Sequence, residues 1–269
     1  MSGAVIHSQR DVPLRPGPVV EATLQGVSGW PVYHTTPSAA SEMTRHVVFL
    51  HGGGYLQDIV WSHWRLVGDL TCHVPARCIV PIFPLAPGGT AKEVVPGIGN
   101  LLRELLAEVA PGRVTVVGNS AGAGLALAAS QWLRDRGHRQ PKALVLISPW
   151  LDAPIMQSSR PEIAPRDLQG RPGPTEARRL YEAGDLDVSH PFVSPLNGGM
   201  QELPPLTVFT GTHDPLHADS MALAELAERS NTPISVQVRH GLPHNYALMP
   251  TPEGREARAR IARICAGCE

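Results

Sequence analysis

The sequence predicts an α/β fold with a mostly parallel central sheet of about eight strands and helices on both faces. Three observations lead there. Short β-branched apolar runs alternate with longer amphipathic runs through most of the chain. Several of the short runs lack a polar–apolar alternation, the pattern of strands buried on both faces. With 269 residues and a 42% hydrophobic share the chain can bury a large core. One domain over residues 1–269 is expected, although length alone would admit two.

The elements follow in order. Residues 1–18 form a short, Pro-rich, loose start, and 19–24 and 31–34 read as strands of a leading hairpin, parted by Gly26 and Gly29. Residues 46–51, His-Val-Val-Phe-Leu-His, are a buried strand halted by three glycines. Residues 61–72 then read as a helix and 78–83 as a strand. Residues 91–109 form a helix with Leu101, Leu102, Leu105 and Leu106 on one face. A strand at 114–117 leads into a small-residue-rich helix at 121–136. Strands at Ala143–Ile147, 206–210 and 234–238, with helices at 221–229 and 254–265, complete the alternation. Residues 153–190 break it with Pro154, Pro161, Pro165, Pro172 and Pro174 around one helical stretch at 176–182. Such an insertion reads as a cap over the strand C-termini, with a disordered excursion as the alternative.

Composition excludes several functions. Lys and Arg number 23 against 24 Asp and Glu, a net charge of −1, so nothing draws in a nucleic-acid backbone or an anionic lipid surface. No run of about 18 apolar residues occurs, and residues 1–20 hold no stretch of signal-peptide length. A cytoplasmic protein without stable membrane insertion is expected. Cys72, Cys78, Cys265 and Cys268 are too few for a disulfide framework. Their grouping raises a zinc site, but Cys78 opens an apolar run as a small buried thiol would, and Cys265 and Cys268 stand in terminal residues that order poorly. No metal and no organic cofactor are expected.

The chemistry concentrates at strand ends. Gly118-Asn119-Ser120-Ala121-Gly122 directly follows Val-Thr-Val-Val and precedes a helix. The glycines permit a tight, strained turn that lifts the Ser120 hydroxyl above the sheet, and the helix N-terminus favours developing negative charge. His51-Gly52-Gly53-Gly54 ends an earlier strand, where amides of Gly53 and Gly54, with that of Ala121, are placed to meet an oxyanion. A phosphate loop is excluded, because no Gly-Lys-Ser/Thr follows. A serine nucleophile needs a base that is itself oriented by an acid. Asp214 and His244 each follow a later strand, giving the order nucleophile, acid, base. Asp219 and His240 are the rivals for acid and base.

These residues resemble the hormone-sensitive-lipase-like group of bacterial α/β-hydrolases, the fold-3 esterases, from about residue 45 to the C-terminus. The likeness rests on His51-Gly-Gly-Gly54, Leu85-Ala-Pro87, Ser148-Pro-Trp-Leu-Asp152, His190-Pro-Phe-Val-Ser-Pro195, Leu203-Pro-Pro205, Asp214-Pro-Leu216 and Gly241-Leu-Pro-His244. The 30 residues between Asp214 and His244 are also similar to the family interval. The resemblance implies an α/β-hydrolase fold, with Ser120 as nucleophile, Asp214 as acid, His244 as base and Gly53, Gly54 and Ala121 as oxyanion donors. It departs at Asn119, where an aspartate is common, and at Phe83, Pro84 and Gly88, which replace Tyr, Arg and Glu. The short N-terminal stretch predicts a reduced cap over an open cleft floored by Tyr55, Trp61 and Tyr246.

The expectation is a serine carboxylesterase acting on short- to medium-chain esters through an acyl-enzyme, as a monomer or homodimer whose partner is a small-molecule ester. An arylformamidase-type amidase on the same triad is the nearest rival. A non-catalytic small-molecule receptor is the rival from another class, and the presence of His244 speaks against it.

Overall fold

The computed structural model describes residues 18–23, 29–37, 44–74, 76–152 and 186–268. Eight strands among them form one sheet: β1 (Pro18–Thr23), β2 (Val32–Pro37), β3 (Arg45–Leu50), β4 (Ala76–Pro81), β5 (Val114–Asn119), β6 (Ala143–Ile147), β7 (Leu206–His213) and β8 (Ile234–Pro243). Their order is β1-β2-β4-β3-β5-β6-β7-β8. The leading hairpin is antiparallel, with β2 also antiparallel to β4. Every other pairing is parallel.

Five helices among the described residues cover this sheet: α1 (Trp61–His73), α2 (Ala91–Glu108), α3 (Ala121–Asp135), α4 (His217–Arg229) and α5 (Pro252–Ala266). The period-two geometry of a strand explains the continuous apolar runs, because successive side chains feed two different cores. Val48 and Leu50 of β3 pack with α2, α3 and α4, whereas Val47 and Phe49 pack with α1 and α5. Helix α3 has its first thirteen residues buried, which its Ala-Gly-Ala-Gly start allows by bringing backbone close to the sheet. The closing helix carries its own punctuation. Thr251 Oγ1 accepts from Gly254 N at 3.1 Å, Pro252 opens the first turn, and Gly267 ends the helix at φ 76°.

The sheet, its two helical faces and the hairpin follow the sequence expectation, but several boundaries move. Strand β7 runs three residues past the expected end and β8 runs five, because the two keep pairing through an irregularity between Gly211 and His213. Asp214 and His244 therefore lie immediately beyond two adjacent strand ends. Helix α4 begins four residues early, at His217, where the Asp214 carboxylate accepts the Leu216 amide and turns the chain into the helix. Cys265 corrects the expectation of loose terminal cysteines: it is buried in the core between α5 and the sheet, as is Cys78. Cys72 and Cys268 are exposed, and all four thiols are free. Most of the expected cap, residues 153–185, and the expected loose start lie outside the described residues. Among those described, no helix is long and apolar enough to cross a membrane, and no group of three His, Cys, Asp or Glu side chains gathers as a metal would need.

Candidate active site

Ser120 stands between the end of β5 and the start of α3 at φ 52° and ψ −118°. Such a conformation is strained for a residue with a Cβ, by about 1–3 kcal/mol, and must be held by its surroundings. Its amide donates to Ile147 O at 2.8 Å, while its carbonyl accepts from Ala123 N at 3.0 Å and Trp150 N at 3.2 Å. Gly122 permits the turn by close approach: a Cβ there would lie 2.2 Å from Leu50 O. The Gly-x-Ser-x-Gly spacing is thus a packing requirement between α3 and β3 as well as a turn signal.

The strand ends bring Ser120, His244 and Asp214 together. His244 Nε2 lies 3.1 Å from Ser120 Oγ, and His244 Nδ1 lies 2.9 Å from Asp214 Oδ1. The carboxylate has only acceptors, so Nδ1 carries the proton and Nε2 presents a lone pair to the serine hydroxyl. Asp214 Oδ1 also accepts Leu216 N at 2.8 Å. Burial raises the Asp214 carboxyl, but the hydrogen bond and charge of His244, the Ser148 hydroxyl and the Leu216 amide outweigh it and hold the group below the usual range. The acid is therefore an ion suited to stabilising an imidazolium. The rivals lie elsewhere. His240 is an exposed residue of β8. Asp219 is wholly buried at the start of α4, where its Oδ2 accepts the amides of Leu151 at 2.8 Å and Asp152 at 3.1 Å.

Beside the elbow, the loop after β3 turns sharply, with Gly53 at φ 129° and Gly54 at φ 61°. Gly53 O accepts from Leu56 N and Gln57 N, and a Cβ on Gly53 would sit 2.3 Å from Gln57 O, so only glycine fits. His51 Nδ1 hydrogen-bonds Gly52 O at 2.8 Å, and its ring stacks on Phe83 with centroids 4.3 Å apart. Phe83, one of the departures noted in the sequence, thereby steadies the glycine loop by stacking. Ala121 is buried as the first residue of α3.

The three expected cleft residues do not share one surface. Tyr55 is buried against Trp150, and its hydroxyl donates to Ala121 O at 3.0 Å, so it braces the elbow. Trp61 is 54% exposed at the start of α1, with the Arg65 guanidinium 5.7 Å above its ring. Tyr246 corrects the sequence expectation: at 1% exposure it belongs to the core beneath α1 and α5, because the short helical turn after His244 directs it inward. Sequence reasoning also gave no role to His63, Ser148 or Asn245. Asn119 Oδ1 meets His63 Nε2 at 2.9 Å, Asn119 Nδ2 donates to Asn245 Oδ1 at 2.6 Å, and Asn245 N donates to Ser148 Oγ at 2.9 Å. Ser148 stood within a recognised segment, and Asn119 was marked as a departure. Nothing in the local pattern around His63 separates it from the other histidines.

Comparison with known proteins shows the family. The family described as alpha/beta hydrolase fold matches residues 47–248. A triacylglycerol lipase of Mycobacterium tuberculosis is 34% identical over 227 residues, covering 84% of this chain and 47% of the relative, so the chain spans about half that protein's length. An acetyl-hydrolase of Streptomyces hygroscopicus is 35% identical, covering 79% of this chain and 72% of the relative. The crystal structure of an esterase from the bacterial hormone-sensitive lipase family superposes with a TM-score of 0.84 at 29% identity, covering 95% of this chain and 86% of that one. With a strained serine elbow, a hydrogen-bonded Ser–His–Asp chain and a family match over most of its length, the chain belongs to the α/β-hydrolase-fold family, in the hormone-sensitive-lipase-like group.

Proposed function

We propose that the protein is a serine carboxylic ester hydrolase that cleaves short- to medium-chain esters through an acyl-enzyme. One observation carries the reading: the continuous hydrogen-bonded line from Ser120 Oγ through His244 to the buried Asp214 carboxylate, set on a strained elbow. Ser120 Oγ attacks the ester carbonyl carbon while His244 Nε2 takes its proton. The resulting oxyanion meets the amides of Gly53, Gly54 and Ala121, and each such donor is worth about 100-fold or more in rate. Collapse expels the alkoxide, which takes the proton from His244 and leaves as the alcohol. Water then attacks the acyl-enzyme with His244 again as base, and the acid is released as Ser120 regains its proton. Asp214 keeps the imidazole in the productive tautomer throughout. A relative named esterase supports an ester substrate, and one named acetyl-hydrolase supports a small acyl group.

The test is hydrolysis of p-nitrophenyl esters from two to about sixteen acyl carbons beside an N-formyl aryl amide, for wild type and Ser120→Ala. A Ser120-dependent maximum at short or medium chains is expected. Ser120-dependent turnover of the formamide alone would replace the esterase reading with the amidase one. Absence of turnover on every substrate would favour a binding protein.

A further inference from the structure

The buried polar line beside the triad has a direction that its chemistry fixes. Val60 N donates to His63 Nδ1 at 3.1 Å, so the His63 proton resides on Nε2. Nε2 therefore donates across 2.9 Å to Asn119 Oδ1, which leaves the Asn119 Nδ2 donor facing Asn245 Oδ1 at 2.6 Å. Asn245 is the residue after His244, held in the left-handed region at φ 61°, and its own amide donates to Ser148 Oγ at 2.9 Å. Asn119 is the residue before Ser120 and is wholly buried. The side chains on either side of the nucleophile–base pair are thus joined directly, and α1 sets the orientation of the joint.

We propose that Asn119 is a positioning residue, whose side-chain amide ties the nucleophile elbow to the base-bearing loop and so fixes the reach of His244 Nε2 onto Ser120 Oγ. His63 is its neutral orienting donor. The inference rests on the esterase reading and adds to it a role for one of the positions at which this chain departs from the family pattern. An amide suits the site because every partner is neutral. Burial and the nearby His51 outweigh the hydrogen bond to Asn119 and leave His63 lowered to about 4, so at neutral pH it brings no positive charge to balance a carboxylate.

The experiment measures kcat, KM, thermal midpoint and the pH profile of p-nitrophenyl butyrate hydrolysis for wild type, Asn119→Leu, Asn245→Gly, their double variant and Asn119→Asp. Glycine is chosen at 245 because it tolerates the left-handed backbone. A misplacement of about 1 Å costs on the order of 100-fold. Each single variant is therefore expected to lose roughly 10- to 100-fold in kcat with KM little changed, and the double variant to be no worse than the weaker single, since one link is broken either way. If Asn119→Leu does not fold, Asn245→Gly alone must show the kcat loss. In Asn119→Asp the buried carboxyl meets only neutral partners and takes up a proton, so a kcat loss with a lowered thermal midpoint is expected.

Folded variants with wild-type kcat, losses confined to KM, or multiplicative losses in the double variant would each overturn the proposal. Wild type without Ser120-dependent turnover or fluorophosphonate labelling at Ser120 would instead fail the esterase reading, and the proposal with it.

Discussion

Asp214 and Asp219 lie five residues apart and are both buried, yet their carboxyls are driven in opposite directions. Asp214 is held below its ordinary value by His244, Ser148 and the Leu216 amide despite its burial. Asp219 is pushed up to about 7, chiefly by burial and further by the nearby charges of Asp152 and Asp214, which its two amide partners do not offset. The consequences for stability have opposite signs. The Asp214 contribution is present above the ordinary value of 3.8 and is lost as pH falls through the lowered folded value. The Asp219 contribution is present below 3.8 and is lost as pH rises toward about 7. Asp219→Asn should therefore flatten the decline in stability between those values and exceed wild type above pH 7, read as urea midpoints across pH. A variant whose midpoints track wild type throughout would contradict this. At the same scale, Asp214→Asn should preserve the fold and lower kcat by about 10⁴-fold, since the amide no longer holds the productive imidazole tautomer. A loss under tenfold in steady-state assays would remove Asp214 from its role.

At the scale of elements, the elbow depends on how closely α3 approaches β3. A Cβ on Gly122 would be 2.2 Å from Leu50 O, an approach that backbone cannot relieve cheaply. Gly122→Ala should destabilise the protein by roughly 3 kcal/mol and displace Ser120. Gly137, at φ 65° beyond the end of α3, has nothing within 4 Å of such a Cβ, so Gly137→Ala should cost only about 1 kcal/mol of left-handed strain. Chemical denaturation of both variants checks the contrast, and equal losses would refute the packing explanation.

Elements are also where sequence legibility ran out. Continuous Val, Ile and Leu runs mark β3, β5 and β6 because each faces two cores. The distal halves of β7 and β8 read as loop, since Gly211, His240 and Gly241 carry no apolar alternation there, and what extends them is pairing with each other. Tyr246 follows His244 closely in sequence, which by itself points to the cleft. The turn at residues 245–248 instead rotates it into the core, and that rotation depends on Asn245 adopting φ 61°, a tertiary outcome. The meeting of Ser120, Asp214 and His244 is legible because each follows a strand, in the order a nucleophile, acid and base would take. The polar line through His63, Asn119 and Asn245 is not, because its members are distant in sequence and none belongs to a motif of its own.

For the whole molecule, the parallel sheet gathers Ser120, Asp214 and His244 at one end because β5, β7 and β8 all point their C-terminal ends the same way. Ser120 follows β5, Asp214 follows β7 and His244 follows β8, so their hydrogen-bonded line exists only when three strands are in register. Ile261 of α5 is fully buried in the core on the sheet face opposite α2 and α3. Ile261→Ala should cost about 2–5 kcal/mol in stability while kcat at low temperature changes little, as measured by thermal melting beside turnover. Loss of kcat without loss of stability would mean that the two helical faces are coupled in a way the packing does not suggest. The central claim is that Ser120 is a nucleophile activated by His244. Its most direct test is mass-spectrometric mapping of a fluorophosphonate adduct in wild type, Ser120→Ala and His244→Ala. The account predicts one adduct per chain on Ser120, slowed at least 100-fold in His244→Ala and absent in Ser120→Ala, with turnover lost in step with labelling. An adduct on another residue, or turnover that survives full modification of Ser120, would contradict it.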